Sequence, residues 1–226
     1  MKAHEVVMAW VTEELASGRL HIGDHLPSER ALAETLAVSR SSLREAMRVL
    51  EALGTIQTST GSGPRSGTII TAAPEQALSL ALNLQLATRH FDQRHIYETR
   101  LLLETWAAQH ASPDLGDWTH AEQLLDRMDA PDLSAEAFLA LDAEFHTLLS
   151  HAADNPLISA LMDALRLSVA DHTGALARSL PDWPTTAARL RAEHREILAQ
   201  LRAGSGEAGA ALLRAHIERY YGESTV

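Results

Sequence analysis

The sequence predicts a mainly α protein in two parts: an N-terminal helix-turn-helix unit with a two-stranded wing, then an all-α antiparallel helical bundle. Three observations predict it. Residues 27–54 read as two short amphipathic helices around a tight turn, and residues 55–71 hold two strand-like runs on either side of a glycine-rich turn. Beyond residue 73 the chain falls into seven helical segments set apart by breakers, with no strand candidate. At 226 residues and 46% hydrophobic composition it has room for two modest domains, placed at 1–72 and 73–226.

In chain order, Val6, Val7, Trp10, Val11 and Leu15 keep helical spacing before Gly18, so a first helix closes the N-terminal core with Leu20 and Leu26. Ser28 is placed to cap a short second helix whose Leu32, Ala33 and Leu36 form its apolar stripe. Ser39 caps a third, in which Leu43, Ala46, Met47, Leu50 and Leu53 recur at helical spacing before Gly54 stops it. Opposite that stripe Arg40, Arg44 and Arg48 follow one another at i+4 steps, with Ser41 and Ser42 among them. Guanidinium forks and small hydroxyls on one exposed face suit a DNA major groove, where arginine holds guanine O6 and N7. The same arginines could equally form a solvated face with Glu45 and Glu51. The hairpin that follows favours the groove, since a glycine-rich wing tip with one arginine can track the backbone or enter the minor groove.

These residues resemble a family. Gly18-Arg19-Leu20, Gly23-Asp24, Leu26-Pro27-Ser28-Glu29-Arg30, Val38-Ser39-Arg40, Leu43-Arg44-Glu45-Ala46 and Leu50-Glu51-Ala52-Leu53-Gly54 together resemble the winged helix-turn-helix of GntR-type transcription regulators. The resemblance implies DNA contacts by Arg30, Ser39, Arg40, Ser41, Ser42 and Arg44, and by Gly63 and Arg65 in a wing longer than is usual for the family.

The formal charge of −11 is unevenly shared, because residues 1–72 hold 7 basic and 8 acidic side chains and residues 73–226 hold 12 and 22. A near-neutral head on an acidic body can bind DNA through arginines gathered on one face, with steep salt dependence. The absence of cysteine excludes disulfides and thiolate ligands or nucleophiles, which fits a cytoplasmic location. Glu5, Glu13 and Glu14 interrupt any signal-peptide core, and no apolar run reaches the ~18 residues of a membrane span. No membrane partner is expected.

The helical segments are placed at 74–89, 92–111, 118–129, 134–153, 156–180, 185–203 and 207–221, with Asn155-Pro156 the clearest start. The first of them is leucine-rich nearly all round and is expected to be buried or interfacial. Asp142 and His146 stand at i and i+4 on one helix face, while His194 and His216 lie on two later helices. If those faces turn inward, one carboxylate and three imidazoles converge on a site suited to a divalent ion, with Zn, Ni or Mn conceivable. A chain with 12 histidines also admits the plainer reading that each is a surface or hydrogen-bonded core residue. Against it, Phe138, Leu139, Phe145, Leu148 and Leu149 carry much of the Asp142 helix into the core, so its polar pair needs partners. His90, His95, His110, His120, His151 and His172 have no such support and are expected to be structural or exposed.

This half resembles the FCD ligand-binding domain of the FadR-like GntR branch, through Tyr97-Glu98-Thr99-Arg100, Leu103-Glu104, Asp142-x-x-Phe145-His146, Asn155-Pro156-Leu157, Glu193-His194-Arg195 and His216. The resemblance implies that Asp142, His146, His194 and His216 bind a metal and that Arg100 meets an effector carboxylate. For Arg100 an ion pair with Glu104, one turn on, is the alternative.

The expectation is therefore a homodimeric regulator, a repressor by resemblance, reading an inverted-repeat operator in double-stranded DNA and answering to a small carboxylate effector. It is not expected to be an enzyme. Two rivals are kept: a metal-dependent enzyme on a small organic acid with Glu144 as base and the head as accessory, and a purely structural metal.

Overall fold

The computed structural model describes residues 3–59, 67–88 and 91–223. They fall into two compact units that divide between Leu78 and Ser79, a little beyond the boundary expected after residue 72.

The first unit holds α1 (Ala3–Ala16), α2 (Glu29–Thr35), α3 (Arg40–Ala52), β1 (Ile56–Ser59) and β2 (Gly67–Ile70). Ser28 caps α2 by accepting from the Ala31 N–H at 3.3 Å, and Ser39 caps α3 by accepting from the Ser42 N–H at 3.1 Å. Between them the chain turns through Ala37 at φ 51°, a left-handed conformation that costs an alanine energy and is held by the packed helices around it. The core is made by Val7 and Val11 of α1, Leu32 of α2, Leu43, Ala46 and Leu50 of α3, and the paired Ile56 and Ile70 of the hairpin. Leu53 differs from expectation: it is the C-cap of α3 and stands 41% exposed, so the apolar stripe ends with the helix. Gly54 then turns the chain at φ 68°, where a Cβ would fall 1.9 Å from the Ala73 carbonyl oxygen, so no other residue fits. The segment before α2 also lies along β2, with the Leu26 N–H donating to Thr68 and the Ile70 N–H to Asp24. Gly63 and Arg65, the expected wing contacts, lie outside the described residues.

The second unit comprises most of α4 (Glu75–Ala87), then α5 (Gln93–Gln109), α6 (Trp118–Met128), α7 (Ala135–Ser150), a 3-10 turn (His151–Ala153), α8 (Pro156–Ala177), α9 (Trp183–Arg202) and α10 (Gly206–Glu223). The helix expected over 134–153 ends three residues early, where the tighter turn leads to Asp154 at φ 50° and so into the Asn155 cap of α8. α9 begins at Trp183, because Asp182 caps it by accepting from the Thr185 N–H and Pro184 occupies its first turn. The core gathers Leu124, Met128, Phe138, Phe145, Leu190, Ile197, Leu213 and Ile217 from α6, α7, α9 and α10. α10 packs on both α5 and α9. At Gly206 a Cβ would come 2.6 Å from the Gln109 carbonyl oxygen, so the start of α10 meets the end of α5 backbone to backbone. α4 is not buried on all sides: Leu82 packs against Leu165 and Val169, while Leu80 and Leu84 are each 60% exposed.

Candidate functional site

α5, α7, α9 and α10 each carry polar side chains into the interior of the second unit. Asp142 and His146 enter from α7, His194 from α9 and His216 from α10, and all four are at most 4% exposed. One ligand atom from each lies within 4.8 Å of the others. The Nε2 of His194 is 3.0 Å from Asp142 Oδ1 and 3.3 Å from the Nε2 of His216, while the Nε2 of His146 is 3.7 Å from Asp142 Oδ1. The four residues singled out in the sequence are therefore brought together.

Two carboxylates stand behind them. His146 Nδ1–H donates to Glu104 Oε2 at 2.6 Å and His216 Nδ1–H donates to Glu193 Oε2 at 2.8 Å, which fixes the tautomer of each ring and leaves Nε2 as the inward nitrogen. Glu193 is itself held by Arg189 at 3.0 Å and by Arg219. Burial pushes Glu104 up, but Arg100 and His146 outweigh it and hold the carboxylate at about 2. Glu193 likewise sits at about 2, burial being overcome by His216 and Arg189. Burial above all, with the neighbouring imidazoles, pushes His216 down to about 3, and burial lowers His194 as well. His146 goes the other way, because Glu104 and Asp142 together outweigh its burial.

Three imidazoles and one carboxylate, two of the rings oriented by further carboxylates, could hold a divalent metal ion. The fit has an independent mark, since His146 Nε2 and His194 Nδ1 are buried without a hydrogen-bond partner. A cation among the four atoms would give the first of these its missing partner.

Arg100 lies beside this cluster at 2% exposure. Its Nε donates to Glu104 Oε1 at 2.6 Å, so the ion-pair alternative is realised, yet its Nη2 lies 3.8 Å from Asp142 Oδ2 with no hydrogen-bond partner. Glu144, the base of the enzyme alternative, is elsewhere. It is 3.5 Å from His120 and lines a surface pocket of about 330 Å³ with His151, Asp163 and Arg166. Sequence reasoning did not assign Glu104 or Glu193 to the site, although both stand in the motifs that locate it. It also set aside His95, whose Nδ1 accepts from the Asp92 N–H and completes a capping box at the start of α5.

In the first unit Arg30, Ser39, Arg40, Ser41 and Arg44 are exposed and Ser42 is half-buried. The hydroxyls of Ser41 and Ser42 lie 2.9 and 2.8 Å from that of Ser39, forming a cluster at the N-terminus of α3. Arg44 Nε donates to Glu29 Oε2 on α2 at 2.9 Å.

An exposed arginine helix beside a strand hairpin, on a chain whose second unit is a helical bundle with a buried polar centre, defines the class: a DNA-binding regulator with a helical sensory module. Residues 3–65 match the family of bacterial regulatory proteins called gntR, and residues 95–219 match the FCD domain, so the chain belongs to the GntR family of transcription regulators in its FCD-containing branch. It is 30% identical over 208 residues to the HTH-type transcriptional regulator LutR of Bacillus subtilis, covering 90% of this chain and 92% of that one. It is 32% identical over 148 residues to the HTH-type transcriptional repressor NanR of Escherichia coli, covering 63% and 55%. A GntR protein of Streptococcus agalactiae shares the fold with a TM-score of 0.63 at 23% identity, over 97% of this chain and 99% of that one. The protein is a transcription regulator and not an enzyme. Among the described residues no helix is long and apolar enough to cross a membrane.

Proposed function

We propose that the protein is a homodimeric cytoplasmic repressor whose hold on an inverted-repeat operator is released by a small carboxylate bound at a metal centre. Residues 1–72 are the DNA-binding domain and residues 73–226 the metal, effector and dimerisation domain. The single observation that carries this reading is the buried convergence of Asp142, His146, His194 and His216 beside the buried guanidinium of Arg100, whose Nη2 faces Asp142 Oδ2 at 3.8 Å.

Asp142 and the Nε2 atoms of the three histidines hold the ion, for which the nitrogen-rich donor set favours Zn, with Ni or Mn as alternatives. When bound, the ion supplies Lewis acidity to fix a carboxylate oxygen. Arg100 Nη2 takes the effector's carboxylate while its Nε stays on Glu104, and Glu104 and Glu193 keep the rings oriented. In the head Arg40 and Arg44 read base edges, Arg30 and the hydroxyls of Ser39, Ser41 and Ser42 position the backbone, and Gly63 and Arg65 contribute from the wing. An effector that binds one dimer arrangement better than the other shifts DNA affinity by the coupling energy, typically ~1–3 kcal/mol.

The test is fluorescence anisotropy of the metal-loaded full chain on DNA flanking its own gene, with and without a panel of small carboxylic acids, alongside native mass spectrometry and metal analysis. A dimer carrying a divalent ion, with DNA binding weakened by at least one acid, is expected. Metal-free protein after reconstitution, or the same DNA affinity with every acid, overturns the proposal.

A further inference from the structure

Glu51 stands in the last turn of α3, one turn after Arg48 and two after Arg44 on the same helix face. A carboxylate there meets the negative end of the helix macrodipole, so it is unfavourable for α3 itself. Nor does it serve the arginines, because Arg48 turns back to Glu45 at 3.5 Å and Arg44 donates to Glu29. Its partner is the backbone of the hairpin: Glu51 Oε1 accepts from the Thr58 N–H at 3.0 Å.

The register of the hairpin shows why that N–H is available. The Thr71 N–H donates to the Thr55 carbonyl across the strands, and bonded and non-bonded pairs alternate along an antiparallel ladder, so at the Thr58 and Thr68 pair both residues turn their N–H and C=O outward. On the β2 side the outward Thr68 carbonyl accepts from the Leu26 N–H. On the β1 side the sheet has no further strand among the described residues, and without the carboxylate the Thr58 N–H would be an open edge. Thr58 is also the last residue but one of β1, so the bond holds the hairpin to α3 just before the chain leaves the strand. The charge on the acceptor makes the tie stronger than a neutral one.

We infer that Glu51 is a positioning residue for operator recognition, a clamp that locks the base of the hairpin to α3 so that both meet the DNA at a fixed spacing. It touches no DNA itself. The inference rests on residues 1–72 being the DNA-binding domain and is independent of the metal and the effector. Contacts made by two elements add fully only when those elements are already held in the geometry the duplex requires.

The sign of the effect separates the clamp from simple electrostatics. Losing a negative charge from a helix that faces DNA strengthens attraction to the phosphates, whereas losing the clamp weakens specific binding. The experiment is fluorescence anisotropy of the full chain on DNA flanking its own gene and on a random duplex of equal length. Glu51→Ala should bind the specific fragment about tenfold more weakly and the random duplex no more weakly than wild type. Glu51→Gln, which also drops the charge but keeps an acceptor oxygen, should recover most of the loss. Hydrogen exchange at the Thr58 amide should quicken in Glu51→Ala and slow again in Glu51→Gln, with the Leu50 amide unchanged. Glu51 is exposed, so both variants keep the fold. Specific binding as tight or tighter in Glu51→Ala, an equal loss in the two variants, or a Thr58 amide indifferent to the change overturns the inference and leaves the DNA-binding domain standing. If the wild-type chain does not distinguish the fragment from the random duplex, the reading of the head falls first and this inference with it.

Discussion

Glu104 on α5 and His146 on α7 are joined by a 2.6 Å hydrogen bond, with Glu104's other oxygen on Arg100 at 2.6 Å. One buried carboxylate therefore aims a proposed metal ligand and neutralises a proposed effector ligand. Glu104→Gln should lower metal affinity about 10–100-fold by releasing the ring. It should also destabilise the protein, by up to roughly 3–5 kcal/mol, because Arg100 keeps its charge and loses its hydrogen-bonded counter-ion, retaining only Asp142 at 3.8 Å. Chelator competition and urea unfolding measure the two effects, and a variant with unchanged metal affinity would remove Glu104 from the site.

Stability of the metal-free protein should fall on the acid side of neutrality. His216 binds a proton in the fold only near pH 3, whereas in the unfolded chain it does so near 6.5. Its contribution is thus complete above 6.5 and is lost as the pH drops towards 3. His146 is raised, so its contribution is already complete below 6.5 and does not cancel the loss. Urea midpoints of the chelated protein should be lower at pH 5 than at pH 7, and His216→Gln should flatten that difference. Equal slopes for the two proteins would sink the assignment.

Metal removal should act on one unit only. An ion that binds the folded state alone stabilises by RT ln(1 + [L]/Kd), about 4 kcal/mol at a thousandfold excess over Kd. Chelation should therefore lower the melting of the second unit and leave hydrogen-exchange protection of α3 unchanged. Loss of protection in both units equally would place the ion's effect elsewhere.

Arg44→Ala should weaken operator binding and relax base preference by about 1–3 kcal/mol at one position per half-site, with melting unchanged to within about 0.5 kcal/mol because the side chain is exposed. Glu29→Ala, which frees Arg44 from its 2.9 Å partner, should blur base selectivity more than it changes overall affinity. Binding to operator variants by anisotropy separates these outcomes.

Most of the helical layout was legible in the sequence, because caps and breakers act locally: Ser28, Ser39 and Asn155 each cap the helix they were expected to start. The four clustered donors were legible for a mixed reason. Asp142 and His146 share a face by helical period, but bringing His194 and His216 to them needs helix packing that spacing cannot supply. What escaped was set by contacts distant in sequence. Glu104 shows its i+4 partner Arg100 plainly, and nothing local says that its other oxygen meets His146, 42 residues away. Nor does hydropathy distinguish His172, buried against Tyr221, from a histidine on the surface. The helix expected over 134–153 is shorter in the structure: Ala152 and Ala153 are good helix formers, yet they lie in a tighter 3-10 turn that ends at Asp154 in the left-handed region.

The four donors of the centre have almost no surface of their own, the most exposed being His216 at 4%. Apart from His216, which lines a small cleft between α9 and α10 with Glu193 and Arg219, the donors are closed in by the packed helices, so the residence time of an ion there should report largely how often the bundle breathes. Isotope exchange of bound zinc would then be a clock for opening of the interior, and an effector that slows the clock would be doing so by keeping the helices shut.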